Sequence, residues 1–141
     1  MVSQGLVIPG SIADELMAHA HTEEPNEACG MLSGELVSGR ALAFHPARNA
    51  AASPLRYDVH PDDLVRIVFG IEDAGQDLVA IFHSHTLSPA VPSATDRREA
   101  RYPGVFYLLA SLADPSASPE QALRAWTIED GEIAEQALHI E

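Results

Sequence analysis

Hydrophobic positions along the chain form short apolar runs that alternate with amphipathic segments, which is typical of a domain of mixed strands and helices. The runs predict strands over residues 6–8, 27–34, 41–45, 55–59, 78–82, 105–110, 122–128 and 132–140. The run over 105–110 is almost entirely apolar, so we expect it centrally in the sheet. Asp130-Gly131 is a turn signal, so the last two strands should form a terminal hairpin after a turn over 114–119.

Apolar residues spaced three or four apart predict the helices. The first should begin with Ser11 as its N-cap, and the second should begin at Pro61. Their buried faces comprise Ile12, Leu16, Met17 and Ala20 in the first helix, and Leu64, Val65, Ile67, Val68 and Ile71 in the second. A short third helix is predicted from Ala94 to Arg101. The pattern therefore predicts one α/β (α+β) domain over residues 1–141, with a mixed, mostly antiparallel sheet and about three helices.

Composition narrows the class of protein further. The chain has 141 residues, of which 46% are hydrophobic. That is enough to form one hydrophobic core without disulfides or a structural metal. A single cysteine, Cys29, excludes an intrachain disulfide and a zinc site built from several thiolates. No apolar run reaches the ~18 residues of a membrane helix, and residues 1–5 lack the basic start of a signal peptide. We therefore expect a cytoplasmic protein without a membrane partner.

The charge of the chain is strongly acidic. A net charge of -13 arises from 21 acidic and 8 basic residues, and every basic residue is arginine. Such a surface repels phosphate backbones, so no nucleic-acid partner is expected. Ordinary solubility explains the excess charge. Adaptation to a salty cytoplasm is the alternative, because screening over ~3 Å at about 1 M salt relieves self-repulsion.

The predicted strand over 78–82 leads directly into His83-Ser84-His85. Alternate residues of a strand share a face, so the two imidazoles can point at one ion. Asp96 follows after ten intervening residues, where the third helix begins. Two nitrogens and a carboxylate leave one position open, as in a catalytic zinc site. The alternative is a pair of ordinary histidines at a strand end, one buried and one exposed.

The other histidines give no comparable site. His19 and His21 have the same spacing but lie in the first predicted helix, where residues two apart diverge by about 200°. They cannot bind one ion while the helix persists. His45, His60 and His139 have no partner at ligand spacing. We interpret those three as surface or packing histidines.

With Glu27 and Ser93 added, these residues resemble the JAMM, or MPN+, metallopeptidase family. The family pattern is a glutamate on an early strand, His-x-His, ten residues, and an aspartate with a serine three positions before it. Residues 25–32 and 49–57 also resemble family segments, so the resemblance spans nearly the whole chain. Thr86 stands where a proline often follows the second histidine. This form resembles the small bacterial branch that processes ubiquitin-like sulfur-carrier proteins.

The resemblance implies a curved sheet of cytidine deaminase-like architecture and one zinc ion bound by His83, His85 and Asp96. By that resemblance Glu27 would act on a zinc-bound catalytic water, first as general base and then as general acid. Ser93 would donate a hydrogen bond to the tetrahedral oxyanion. A surface glutamate is the alternative for Glu27, and a helix N-cap is a second, compatible role for Ser93.

Three neighbours of these residues have expected roles of their own. Ser84 faces away from the two histidines and should orient the ligands through hydrogen bonds. Cys29 is interpreted as a small buried hydrophobe, because no base is identifiable beside it. Gly30 and the loop over 86–92 should border a cleft that admits an extended Gly-Gly tail.

The leading functional hypothesis is a zinc peptidase that cuts the amide bond after the Gly-Gly tail of a ubiquitin-like sulfur carrier, for example releasing cysteine. The chain has no connection long enough for the insertions that family deubiquitinases use, so polyubiquitin is not the expected substrate. One alternative is a non-catalytic interaction module of the same fold. Another is an iron enzyme with two histidines and one carboxylate as ligands. Glu27 favours hydrolysis, because that reaction needs a base.

Overall fold

A computed structural model describes residues 5–141 as eight strands and four helices. The expectation drawn from Met1 to Gln4, that no signal segment is present, lies outside the described residues. The strands are β1 (Leu6–Ile8), β2 (Cys29–Glu35), β3 (Arg40–Ala47), β4 (Asp77–His85), β5 (Phe106–Ser111), β6 (Leu123–Glu129), β7 (Glu132–Gln136) and β8 (Leu138–Ile140). The helices are α1 (Gly10–Glu23), α2 (Pro61–Asp73), α3 (Ala94–Glu99) and α4 (Pro119–Ala122).

All eight strands form one sheet in the order β7-β6-β5-β4-β2-β3-β1-β8. Four of the seven neighbouring pairs are antiparallel, while β1–β3, β1–β8 and β4–β5 are parallel. β7 and β8 lie at opposite ends of this order, yet only Ala137 separates them in the chain. One residue spans a few ångströms, so the sheet must curve until its two edges approach. The prediction of a curved, mostly antiparallel sheet with an interior β5 is confirmed.

Alternation along β4 distributes its side chains between two apolar layers. Ala80 and Phe82 pack in the layer that contains α1, whereas Ile81 packs in the layer that contains α2. His83 and His85 continue the series of Ile81, because residues two apart on a strand share a face. The metal motif therefore lies on the α2 side of the sheet.

Two predictions about local structure are wrong. Residues 55–59 form no strand, and a single bridge between Asn49 and Val59 is their only sheet-like pairing among the described residues. Ser11 does not cap the first helix, because α1 already begins at Gly10 and Pro9 occupies the cap position without a side-chain bond. Pro9 fixes the entry to the helix through its restricted backbone.

Three further differences concern the surface and the chain end. In α2 only Ile67 and Ile71 of the predicted apolar face are buried, while Val65 and Val68 are 55% and 46% exposed. The predicted turn over 114–119 ends at the first residue of the short helix α4, which the apolar pattern did not reveal. Residues 132–140 divide into β7, which pairs with β6, and β8, which pairs with β1. Within residues 5–141, no helix combines the length and the apolar character of a membrane span.

Candidate metal centre

Three side chains from two elements converge at the end of β4. Nε2 of His83 and Nε2 of His85 lie 3.3 Å apart, and each lies 3.0 Å from Oδ2 of Asp96. One ligand atom from each residue falls within 4.8 Å of the other two, and all three side chains are buried. The strand supplies the two imidazoles, and the first turn of α3 supplies the carboxylate. The structure thus brings together the three residues that the sequence motif predicted as ligands.

The carboxylate is held by the cap of its own helix. Ser93 is the N-cap of α3, and its hydroxyl oxygen accepts a hydrogen bond from the backbone N–H of Asp96 at 3.0 Å. In return, Oδ2 of Asp96 accepts from the backbone N–H of Ser93 at 2.9 Å. This reciprocal capping box satisfies two N–H groups at the helix start. The cap role expected of Ser93 is confirmed, and its hydroxyl hydrogen is left available to donate.

The two histidines are fixed by different contacts. Nδ1 of His85 donates to the backbone oxygen of Pro89 at 2.8 Å, which leaves Nε2 facing Asp96. Nδ1 of His83 is buried and has no hydrogen-bond partner in the described part of the chain. The ring of His83 is instead stacked on Tyr57, with centroids 4.3 Å apart and planes inclined by 20°. The alternative of one buried and one exposed histidine is wrong, since both are buried.

The surroundings of Asp96, His83 and His85 shift the pKa of each group in a different way. Burial opposes ionisation of Asp96, but hydrogen bonds from His83 and His85 outweigh it and lower the pKa of the carboxyl well below its usual range. Burial lowers the pKa of His83. The pKa of His85 is raised despite burial, because its bonds to Asp96 and Pro89 favour the protonated ring. A carboxylate held ionised between two imidazoles is a suitable donor set for a divalent cation.

Glu27 lies beside this group, in the two-residue approach to β2. Its side chain is only 4% exposed, and within residues 5–141 its Oε1 atom has no hydrogen-bond partner. Burial raises the pKa of Glu27 to about 7, with opposing smaller effects from the charges of His85 and Asp96. A carboxyl poised near neutral pH suits a general base, and the surface-glutamate alternative is wrong.

Two side chains position the Glu27 segment. The hydroxyl of Ser84 accepts from the backbone N–H of Ala28 at 2.8 Å, so Ser84 secures the neighbour of Glu27. Ser84 was expected to orient the ligands through hydrogen bonds, but the bond of its hydroxyl goes to the Glu27 segment instead of a ligand. Asn49 donates to the backbone oxygens of Glu27 and Arg56, each at 3.0 Å. Asn49 thereby joins the Glu27 segment to the loop that carries Tyr57.

Gly30 lies on the opposite face of the sheet from the metal motif. A Cβ atom at Gly30 would lie 2.6 Å from the backbone oxygen of His45 and 2.7 Å from a ring carbon of Phe44. Glycine is thus needed for close packing between β2 and β3. The expectation that Gly30 borders the substrate cleft is wrong, because its neighbours belong to the α1 side.

The remaining candidates take structural roles. Cys29 is fully buried, and burial raises the pKa of its thiol to about 12, which makes it a poor nucleophile. Nε2 of His19 bonds the backbone oxygen of Cys29 at 3.0 Å, whereas Nδ1 of His21 bonds Glu24 at 3.0 Å. The two rings point to different partners, as helical spacing predicted. His60 caps α2 by accepting from the backbone N–H of Asp62.

A match to known proteins identifies the family. The family described as prokaryotic homologs of the JAB domain matches residues 9–129. That span covers most of the chain and contains all five residues of the predicted site. The chain belongs to this prokaryotic JAB-domain family. The resemblance to JAMM, or MPN+, proteins that the His-x-His motif indicated is confirmed.

Relatives of this JAB-domain protein cover most of its length. It is 40% identical to the desampylase of Haloferax volcanii, over 79% of this chain and 84% of that protein. It is 36% identical to the CysO-cysteine peptidase of Mycobacterium tuberculosis, over 96% of this chain and 90% of that protein. Among solved structures, protein DSY2949 from Desulfitobacterium hafniense matches with a TM-score of 0.86 and 29% identity, covering 96% and 92% of the two chains.

Sequence reasoning about this JAB-domain protein missed Tyr57 and Asn49. Tyr57 lies in a segment that alternates apolar with polar residues, which favoured a strand and hid its ring contact with His83. Asn49 offered a weak signal, because asparagine side chains often organise turns by bonding nearby backbone groups. Its side-chain oxygen accepts from the backbone N–H groups of Ala51 and Asp58. These four bonds use the full hydrogen-bonding capacity of the amide.

Proposed function

We propose that this protein is a zinc-dependent peptidase that hydrolyses the amide bond after the C-terminal Gly-Gly of a ubiquitin-like sulfur carrier, as in the release of cysteine from a carrier–cysteine adduct. The observation that carries the proposal is the convergence of His83, His85 and Asp96 beside the buried Glu27. The names of two relatives, a desampylase and a CysO-cysteine peptidase, support the substrate class.

The donor set fits zinc. Two imidazole nitrogens and one carboxylate oxygen are the ligand types of catalytic zinc sites, and here one such atom from each of the three residues lies within 4.8 Å of the other two. His83, His85 and Asp96 would hold the ion. When bound, zinc supplies Lewis acidity, which polarises a carbonyl and makes a water molecule easier to deprotonate.

Glu27 is the proposed general base. Its Oε1 atom is buried and has no hydrogen-bond partner among residues 5–141, so it can accept a proton from the attacking water. The same carboxyl then returns that proton to the departing amine, because a bond to nitrogen breaks only when the leaving group is protonated. Burial keeps the pKa of Glu27 near 7, which suits both steps. Ser84 and Asn49 hold the two polar groups of the peptide bond that follows this residue.

Ser93 is the proposed oxyanion donor. Its oxygen already accepts from the backbone N–H of Asp96, which fixes the position of the hydroxyl. Its O–H can therefore donate to the carbonyl oxygen of the substrate as negative charge develops there. One such donor contributes about 3 kcal/mol to stabilisation of the transition state.

Metal analysis tests the first part of the proposal. Protein purified without added metal should contain about one zinc ion per chain, while His83→Ala, His85→Ala and Asp96→Ala should each lose it. His21→Ala is the matched control, since it removes an exposed histidine from a pair of the same spacing. Full zinc content in all three ligand variants would overturn the site. Iron instead of zinc in the wild-type protein would favour the alternative of an iron enzyme with two histidines and one carboxylate as ligands.

Mass spectrometry of a carrier adduct tests the second part. The zinc-loaded protein should remove cysteine from a ubiquitin-like carrier whose Gly-Gly tail is joined to cysteine, and should leave Lys-linked diubiquitin intact. Glu27→Gln should keep the zinc and lose at least about a hundredfold in turnover, because only the proton acceptor is removed. Rapid cleavage of diubiquitin with no action on the carrier adduct would overturn the substrate assignment.

A further inference from the structure

Three arginines next to the metal centre differ from the other arginines of the chain. Five of the eight arginines lie within 4.0 Å of a carboxylate oxygen: Arg40, Arg48, Arg56, Arg66 and Arg124. Among the described residues, Arg97, Arg98 and Arg101 form no such ion pair. The chain has 21 acidic residues, so partners are plentiful. We call these three unpaired residues the arginine patch.

The arginine patch surrounds one groove. Arg97, Arg98 and Arg101 line a surface groove of about 540 Å³ between α3 and the turn that joins β6 to β7. Glu129 and Asp130 also line it, so the three arginines exceed the local acids by one. The net charge of the chain is -13, so the lining of this groove differs in sign from the chain as a whole. Unpaired arginines offer an acidic partner the charged contacts that most of this surface lacks.

The hydrogen bonds that the patch arginines form do not neutralise their positive charge. Nε of Arg97 donates to the backbone oxygen of Gly131 at 2.7 Å, and Arg98 contacts the hydroxyl of Thr95 at 3.4 Å. Both partners are neutral. The side chain of Arg101 has no hydrogen-bond partner within residues 5–141. All three side chains are exposed, so a partner can reach them without any rearrangement of the core.

The arginine patch lies next to the candidate metal ligand Asp96. Arg97 and Arg98 directly follow Asp96 in α3, a displacement of only about 3 Å along the helix axis. A short tail that reaches Asp96 would keep the domain that carries it close to α3. We infer that the arginine patch docks an acidic face of the ubiquitin-like protein whose tail enters the site. This inference rests on the proposed function and adds a surface for substrate recognition to it.

The kinetic test compares two double variants with the same change of net charge. The patch variant, Arg98→Gln/Arg101→Gln, removes two of the three patch arginines, and the control, Arg40→Gln/Arg124→Gln, removes two arginines that are already paired. Two substrates are used, a Gly-Gly-cysteine adduct of the ubiquitin-like carrier from the source organism, and a peptide of its last six residues ending in the same cysteine. For the adduct, KM should rise about tenfold in the patch variant at unchanged kcat, because surface charges act mainly on association.

Three comparisons complete the kinetic expectation. The paired-arginine control should keep the KM of the wild type for the adduct. All proteins should cleave the short peptide equally, because it lacks the folded acidic face. Added salt should raise the KM of the wild type more than that of the patch variant. Equal KM values for the adduct in wild type and patch variant would overturn the docking surface while leaving the proposed peptidase activity in place.

Binding without turnover separates failure of the patch from failure of the proposed function. Calorimetry with Glu27→Gln protein and the free carrier should show binding that weakens about tenfold on loss of the patch. Patch-dependent binding without cleavage of any adduct would refute the peptidase and keep the docking surface. Absence of binding would overturn the surface. Patch-dependent binding of a labelled single-stranded RNA, or patch-dependent self-association in sedimentation, would overturn it too if the carrier did not compete.

Discussion

The phenol ring of Tyr57 lies flat against the imidazole of His83, with centroids 4.3 Å apart. His85 is oriented by the bond from its Nδ1 atom to the backbone oxygen of Pro89, whereas Nδ1 of His83 has no partner among residues 5–141. The two histidines of one motif are thus positioned by different forces. The aromatic ring of Tyr57 orients His83, and the hydrogen bond to Pro89 orients His85.

Removal of the Tyr57 ring should weaken zinc binding. Tyr57→Ala frees His83 to adopt other rotamers, so zinc affinity should fall about 10–100-fold, the usual effect of losing a group that orients a ligand. Tyr57→Phe keeps the stacking surface and should bind zinc like the wild type. Competition with a chromophoric chelator measures both variants. Wild-type affinity in Tyr57→Ala would show that the stack does not position the ligand.

Ser93 should act both in catalysis and in the cap of α3, and substitutions can separate the two roles. Ser93→Ala loses the hydroxyl donor and the cap, so turnover should fall about a hundredfold and the free energy of unfolding by about 1 kcal/mol. Ser93→Asp keeps a capping oxygen without a hydroxyl donor, so stability should stay near that of the wild type while turnover falls.

The third substitution at this position is the matched control. Ser93→Thr retains both the hydroxyl and the cap, and should preserve stability and turnover. Denaturant unfolding and cleavage of the carrier adduct are the two measurements. If Ser93→Ala lost stability but turned over like the wild type, the serine would be a helix cap alone.

The three candidate metal ligands were predictable because their signal is local. His83 and His85 are two residues apart on one strand, and the cap at Ser93 places Asp96 in the first turn of a helix. Each of these relationships follows from the period of a single element. The stacking of Tyr57 on His83 joins residues 26 positions apart through an irregular loop. The periodicity of a strand or helix cannot predict such a contact.

The fold shows the same division between local and distant information. The strands β2 and β4 follow from their apolar runs, but their pairing, in which Cys29 lies opposite His83, joins strands that are not consecutive and has no local signal. The division of residues 132–140 into β7 and β8 depends on closure of the curved sheet, which brings β1 to the chain end. A local hairpin signal at Asp130-Gly131 gave the first pairing but could not give the second.

A methyl group at Gly30 should destabilise the protein, whereas one at Gly70 should stabilise it. The added carbon at Gly30 would overlap the backbone oxygen of His45, at 2.6 Å, so Gly30→Ala should lower the free energy of unfolding by about 2 kcal/mol. Gly70 lies in α2 with no atom within 4 Å of an added Cβ. Gly70→Ala should therefore raise the free energy of unfolding by about 0.5–1 kcal/mol through helix propensity.

Denaturant unfolding of the two alanine variants tests this pair directly. Both variants add the same methyl group, so the opposite signs isolate the effect of the surroundings. An equal change in both would mean that β2 and β3 relax freely at Gly30. Zinc content should be unchanged in Gly70→Ala, because α2 supplies no ligand.

The ion pair between Arg48 and Asp63 should make stability depend on acid pH. Asp63 accepts hydrogen bonds from the backbone N–H of Arg48 at 2.8 Å and from its guanidinium at 3.1 Å. These bonds, first those of the side chain and then that of the backbone, hold the pKa of Asp63 well below its usual range. A lowered pKa in the folded state means that the unfolded chain takes up the proton first as the pH falls.

The stabilisation from Asp63 is therefore complete above about pH 5 and declines as the pH falls below the ordinary aspartate pKa of about 3.9. Asp63→Asn should lower the free energy of unfolding at neutral pH by about 1 kcal/mol, since an amide replaces charge-assisted bonds by weaker ones. Its difference from the wild type should shrink steadily toward about pH 2. Glu141→Gln, which removes the exposed partner of Arg40, is the control and should change stability little. A difference for Asp63→Asn that stayed constant from neutral to acid pH would show that the ionised carboxylate does not stabilise the fold.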